Sequence, residues 1–433
     1  LAGGVLLFAF LALLISVPWG YAVLPLFMLV SVLVSLPMVF RDLLNRARSY
    51  LGIRDFIFCF PLILYSLIWS WDVWASSETP IDSEYGAMSL WPAMSTVVLV
   101  WFRLFPPSPS FWWAGIFTGA SLAGCIALFQ RWVMMHDRVG NGMNAIPFGN
   151  LALLLGCLSL IAYVWRLSQG RCGRGKGVFL LAAAAGGIVA SLLSGTRGGW
   201  VILPLLSFFI WVIWRSMHDH QVQLSRRFDW DVVVLVSLIL VVMMALGSAG
   251  PRIATAFDEM HAYWSQDFRG GSIGLRLEMW KGGVILFSER PLTGWGEGGL
   301  QSALDTLVSQ GLLYPGVSVF TQLHSDMIDT AARRGLVGLV SLLGLYGVPL
   351  TLFWRCRRDP DPRVRLLAIA GVMIVTSFMI FGFSQSMLRD VRGLSGYLGL
   401  CVGCWAVLRS IESSNRFACP PGERCVNARA LVR

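Results

Sequence analysis

Residues 324–340, "HSDMIDTAARRGLVGLV", run from a titratable side chain through two arginines straight into an apolar stretch. The apolar character lasts from Gly335 to Trp354. Roughly 20 residues at about 1.5 Å each cross a hydrocarbon core of about 30 Å. The segment therefore reads as a membrane span with a charged lip, and the fold follows from how often such spans recur.

They recur along most of the chain. Of its 433 residues 56% are hydrophobic and 13% charged, a composition that excludes a soluble globular protein. About twelve apolar stretches are long enough to cross a bilayer. They lie near 3–19, 21–40, 55–71, 88–104, 111–129, 148–165, 177–194, 200–214, 230–248, 335–354, 366–384 and 392–408. The first starts at Leu1 and reads as a truncated span, not as a cleaved signal peptide. The expected fold class is an all-α polytopic membrane protein, with 1–433 forming one transmembrane domain.

Arginine and lysine set the orientation. Arg41, Arg46, Arg48 and Arg54, then Arg166, Arg171, Arg174 and Lys176, then Arg215, Arg226 and Arg227, then Arg355, Arg357, Arg358, Arg363 and Arg365 occupy alternate connections. The positive-inside rule makes these cytoplasmic, along with both termini. The 72–87 connection carries Asp72, Glu78, Asp82 and Glu84 with no positive charge, and faces outward. The net charge of +10 then belongs to topology and anionic lipid headgroups, and no nucleic-acid motif accompanies it.

The nine cysteines imply no structural disulfide, because the long outer segment has none. Cys401 and Cys404, in the last span, read as small packing residues; Cys419 and Cys425 lack the second half of a zinc pattern. Two D-x-D spacings, Asp229/Asp231 and Asp359/Asp361, fall on the cytoplasmic side, so no metal site is expected at the outer face.

Residues 249–334 break the rhythm of spans. They read as a helical outer cap inserted between the ninth and tenth spans, with a helix from about Ser272 to Ser288, a glycine-rich "LTGWGEGGL", a short helix near 298–310 and a last helix beginning around His324.

Three outer positions carry the chemistry. Arg197 lies in "SGTRGGW", where glycines let backbone N–H groups approach a ligand and a guanidinium fork can bind phosphate oxygens. The same hairpin suits an arginine that snorkels to headgroups. Arg276 shares a helical face with Trp280 and Gly283, leaving a cation beside a small-residue gap; an interfacial amphipathic helix is the plainer reading. His324 can accept a proton in the working pH range, although a lone outer histidine is more often a satisfied surface residue. Asp326, Asp329 and Arg333 share one face and suggest mutual pairing. Glu278 and Lys281 read as surface partners, and Arg333 and Arg334 as headgroup anchors. Arg138 reads as an additional phosphate contact, and Asp390, between Arg389 and Arg392, reads either as a local ion pair, the plainer reading, or as a residue that orients an arginine or the histidine.

The order of these features resembles the bacterial O-antigen ligase and polymerase family: Arg197 in a glycine-rich hairpin, Arg276 and Trp280 followed by Pro291, Gly294 and Gly296, then His324 with Asp329 and Gly335 ahead of a span. The resemblance implies a GT-C-like membrane glycosyltransferase with 249–334 as its large periplasmic loop, a periplasmic site and no cofactor. Its donor would be a glycan on undecaprenyl diphosphate and its acceptor, for a ligase, lipid A-core. His324 would be the base, Arg197 and Arg276 would bind the diphosphate, and Arg138, Trp280 and Asp390 would contact substrate. A polymerase or a protein O-glycosyltransferase would share the donor chemistry. A transporter or flippase would instead place ionisable groups along its spans.

Overall fold

The computed structural model describes residues 2–76, 83–169, 174–196, 249–265 and 268–417. Their regular structure is all helical, with no strand among the described residues. The helices are α1 (Ala2–Leu13), α2 (Gly20–Tyr50), α3 (Ile53–Ala75), α4 (Ser83–Met88), α5 (Trp91–Leu104), α6 (Pro109–Trp132), α7 (Ala145–Ser168) and α8 (Arg174–Ser194). After the undescribed stretch follow α9 (Ala249–Ser265), α10 (Ser272–Glu289), α11 (Gly299–Ser309), α12 (Asp326–Cys356), α13 (Pro362–Ser384) and α14 (Val391–Phe417).

Seven of these are long and apolar enough to cross a membrane, and the apolar parts of α1, α2 and α5 are shorter. The chain is a multi-pass membrane protein. The expected spans 200–214 and 230–248 lie outside the described residues. Several boundaries differ from expectation, most clearly three: α1 stops at Leu13, α2 continues as helix through the basic stretch 41–50, and α14 runs on to Phe417.

Small residues bring helices together where lipid offers no hydrophobic drive. Gly124 of α6 meets Gly186 of α8, and Gly156 of α7 meets Ala184 and Gly187 of α8. The core is completed by α3, α12, α13 and α14, where Phe58 stacks on Trp405 at 5.2 Å. Cys401 and Cys404 are buried there as free thiols.

The spans contain more charge than the sequence suggests. Asp55 of α3 pairs with Arg103 of α5 and Arg409 of α14, which also pairs with Glu412. These groups sit together at the end of the bundle away from His324. Asp55 and Arg103 lie inside expected spans, and Asp55 is far in sequence from both Arg103 and Arg409, so hydropathy alone does not show the pairing.

A second hydrophobic cluster, centred on Met279, Leu286, Leu304, Leu307, Leu323 and Ala332, joins α10 and α11 to the start of α12. Its attachment to the bundle is a splice in the backbone. At Gly335 (φ 58°, ψ −151°) α12 loses its helical course. The freed N–H groups of Leu336 and Val337 donate to the carbonyls of Pro291 and Leu292 at 2.7 and 3.3 Å. In return, Trp295 and Gly296 donate to the carbonyls of Ala332 and Arg333 at 2.9 and 2.8 Å. The glycine-rich loop thus takes over the groups that the break exposes, as buried backbone requires. A Cβ on Gly294 would overlap Arg333, and one on Gly335 would overlap Leu292 and Thr293.

Candidate functional site

His324 precedes α12 by two residues and has a left-handed backbone, φ 50°. Such a conformation persists only where its surroundings fix it. Two carboxylates in the first turn of α12 do so. Asp329 Oδ1 accepts the Leu323 N–H at 2.9 Å, and Asp326 Oδ1 accepts the Leu388 N–H at 3.0 Å. One grips the chain just before His324. The other grips the 3₁₀ turn Met387–Arg389, just past Gln385.

Between these grips the His324 Nδ1 meets Gln385 Oε1 at 2.7 Å. An amide oxygen only accepts, so Nδ1 carries the proton and Nε2 keeps its lone pair. The Phe320 ring packs edge-on against the imidazole at 5.4 Å between centroids. Burial lowers the His324 pKa from its ordinary value, and the positive charge of Arg276 lowers it too; Gln385 and Asp329 oppose this without reversing it. The ring is therefore neutral at neutral pH and available as a proton acceptor.

Arg276 and His324, two motifs read separately in sequence, thus lie within electrostatic reach of one another. Trp280, one turn further along α10, has a buried ring N–H with no hydrogen-bond partner among the described residues. The expected gap at Gly283 is closed: a Cβ there would run into Ile328 and Leu323. Glu278 and Lys281 are not partners either. Glu278 is buried, accepting from the Tyr263 hydroxyl and the Tyr314 N–H, both at 2.8 Å, while Lys281 caps the Leu312 carbonyl at 2.7 Å.

Arg333 and Arg334 do not reach headgroups. Both are buried, 3% and 4% exposed, in a network of three arginines and three carboxylates. Glu297 receives Arg389 at 2.6 Å, Arg334 at 3.0 Å and Arg333 at 3.2 Å. Asp72 of α3 takes Arg334 at 2.8 Å, and Asp329 takes Arg333 at 3.0 Å and Arg389 at 3.4 Å. Burial alone would raise the Glu297 carboxyl; the guanidiniums of Arg333, Arg389 and Arg334 outweigh it and hold that carboxyl well below the usual carboxylate range. The expected pairing of Arg333 with Asp329 is present, whereas Asp326 turns instead to Leu388 and to the Tyr346 hydroxyl at 3.2 Å.

The remaining positions are distributed more widely. Arg138 is exposed and donates from Nε to the Ser194 carbonyl at 3.2 Å. Asp390 accepts the N–H groups of Arg392 and Gly393 at 3.0 and 2.9 Å, capping α14. Burial raises its carboxyl, and those backbone donors and Arg392 oppose the rise. Arg197 lies outside the described residues, just beyond Ser194 and Thr196. Asp361 caps α13 and pairs with Arg363 at 2.8 Å, a structural use of one D-x-D spacing; Asp229 and Asp231 lie outside the described residues.

Gln385 and Glu297 are the residues that sequence reasoning missed. Gln385 is uncharged and stands 61 positions from His324. Glu297 sits inside the glycine-rich motif, where only its glycines drew notice. A polar residue directly after a span, as Gln385 is, was the one available signal.

A family model described as O-antigen ligase matches residues 179–343, a stretch that holds Arg197, Arg276, Trp280, the Pro291–Gly296 loop, His324 and Gly335. The resemblance read from these motifs holds. An uncharacterized protein of Haemophilus influenzae is 24% identical over 389 residues, covering 89% of this chain and 92% of its own length.

Proposed function

We propose that this chain, with its O-antigen ligase match over residues 179–343, is an inner-membrane glycosyltransferase that moves a polysaccharide from undecaprenyl diphosphate to a sugar hydroxyl of lipid A-core. The observation that carries the reading is the His324–Gln385 pair at 2.7 Å, beside Arg276, at the end of α12 where the membrane span begins. A base held there meets a donor whose lipid tail keeps the diphosphate at the membrane surface. In the full reading about twelve spans form a GT-C-like body with both termini cytoplasmic, and 249–334 caps a periplasmic site.

The chemistry asked of the residues is limited. An acceptor hydroxyl attacks the anomeric carbon and its proton passes to His324 Nε2 as the new C–O bond forms. The bond to the diphosphate breaks on the opposite face and undecaprenyl diphosphate leaves with the electron pair. Arg276 and Arg197 offset the charge that develops on it, a task that two guanidiniums can perform without a divalent ion. Arg138 and the ring N–H of Trp280, unpartnered among the described residues, are further contacts for donor oxygens. One displacement inverts the anomeric centre.

The test is transfer by purified protein given undecaprenyl-diphosphate glycan and lipid A-core with a chelator present. Glycan on lipid A-core, in inverted configuration, supports the proposal. Longer lipid-linked glycan would make the chain a polymerase, glycan on protein would make it a protein O-glycosyltransferase, and retained configuration would defeat the single displacement.

A further inference from the structure

Away from His324, on the opposite flank of α14, a groove of about 310 Å³ opens between α1, α2, α5 and α14. Its walls are almost wholly apolar, with Phe10, Leu29, Val98 and Val402 among them. Leu26 and Met94 on its sides are exposed, 61% and 41%, so the groove faces lipid and is no sealed void.

The ends of the groove are chemically different. At the His324 end α2, α5 and α14 all begin, and Tyr21 and Trp91 stand together there, 6.4 Å between ring centroids, with Trp19 stacked on Tyr21 at 6.3 Å. Aromatic groups gathered at helix ends mark the membrane interface. Above them the Arg392 guanidinium lies 5.2 Å from the Tyr21 ring centroid. Its Nε is buried with no hydrogen-bond partner among the described residues. Asp390 acts on it only at longer range, because its carboxylate is committed to the backbone of α14. The groove thus opens, past Tyr21 and Trp91 in its lining, toward a cation that stands against Tyr21 at headgroup level and is not itself part of the wall.

Depth selects the occupant. Along α5 the lining runs from Trp91 to Phe102. At about 1.5 Å per residue that is about 16 Å, or half of a core of about 30 Å. The groove accommodates a chain that ends at the mid-plane. We propose that it binds one acyl chain of a membrane phospholipid from the leaflet at the His324 end, with the phosphate of that lipid on Arg392. This site needs no assumption about glycosyl transfer. A much longer polyisoprenyl chain would overrun it.

The full chain, purified in detergent, stripped of lipid and titrated with phosphatidylglycerol, tests this by native mass spectrometry. The wild type is expected to take up one tightly held lipid. Arg392→Gln should bind about tenfold more weakly, the factor carried by one charge-assisted hydrogen bond. Ala22→Phe, which fills the groove from α2, should lose the tight site while unfolding at the same temperature as wild type. Equal uptake by wild type and both variants would overturn the site. So would displacement of phosphatidylglycerol by a polyisoprenyl phosphate that binds Ala22→Phe as well as wild type. If Ala22→Phe unfolds early, Ser95→Phe fills the same groove from α5 and is read in the same way.

Discussion

Gln385 Oε1 lies 2.7 Å from His324 Nδ1 and fixes the proton on that nitrogen, leaving Nε2 unprotonated. If His324 is the base, as proposed, Gln385 is a positioning residue that acts through the imidazole. Gln385→Ala should lower kcat about tenfold, a fraction of the roughly 10²–10⁴-fold that a general base supplies, with little change in KM. The pH profile separates orientation from folding. In the wild type the His324 pKa lies below its ordinary value, so activity should persist below neutrality and fall only as pH drops through that lowered value. Arg276→Gln removes a charge that depresses the pKa, so its acid limb should move to higher pH; an unmoved limb would separate Arg276 from His324.

Gly335 carries the splice between cap and span. Gly335→Ala places a side chain at positive φ and against the backbone of Leu292. The expected loss is at least about 2 kcal/mol, read as earlier thermal unfolding in detergent, with transfer falling in parallel. Unchanged stability would mean that the Pro291–Gly296 loop is not held as described.

Glu297 neutralises three buried arginines, and losing one partner from such a network costs about 3–5 kcal/mol. Glu297→Gln should therefore destabilise strongly, and adding Arg389→Gln should recover part of the loss. Because the folded carboxyl is held below its unfolded value, its contribution is fully present above the ordinary carboxylate range. It is lost only as pH falls through the lowered value. Between pH 7 and about 5 the gap between wild type and Glu297→Gln should stay constant; a gap that closes in that range would contradict the assignment.

Asp390 sits as a cap. Asp390→Ala should cost about 1 kcal/mol of stability, and Asp390→Asn, which can also accept from the helix N-terminus, a few tenths. If Asp390→Asn keeps stability and loses donor binding, the carboxylate contacts substrate after all.

Much of this was legible in the sequence for a local reason. Span periodicity, the helix from Ser272 and the short helix after the glycine run depend on neighbouring residues, and they stand close to where they were expected. The arginine partners were not legible. Arg334 looks like a headgroup anchor until Asp72, 262 positions earlier, is brought against it. The same holds for Asp55 and Arg409, 354 positions apart. Gly294, Gly296 and Gly335 were recognisable as a motif, yet their shared purpose, a backbone exchange between loop and helix, appears only in three dimensions.

The central claim is that His324 takes the acceptor proton. The measurement closest to it is single-turnover transfer by purified His324→Ala against wild type, with undecaprenyl-diphosphate glycan prebound and lipid A-core in excess. The account predicts a fall of about 10²–10⁴-fold in the transfer step, with donor affinity and unfolding temperature unchanged. Transfer at the wild-type rate by a folded, donor-bound His324→Ala protein would contradict it.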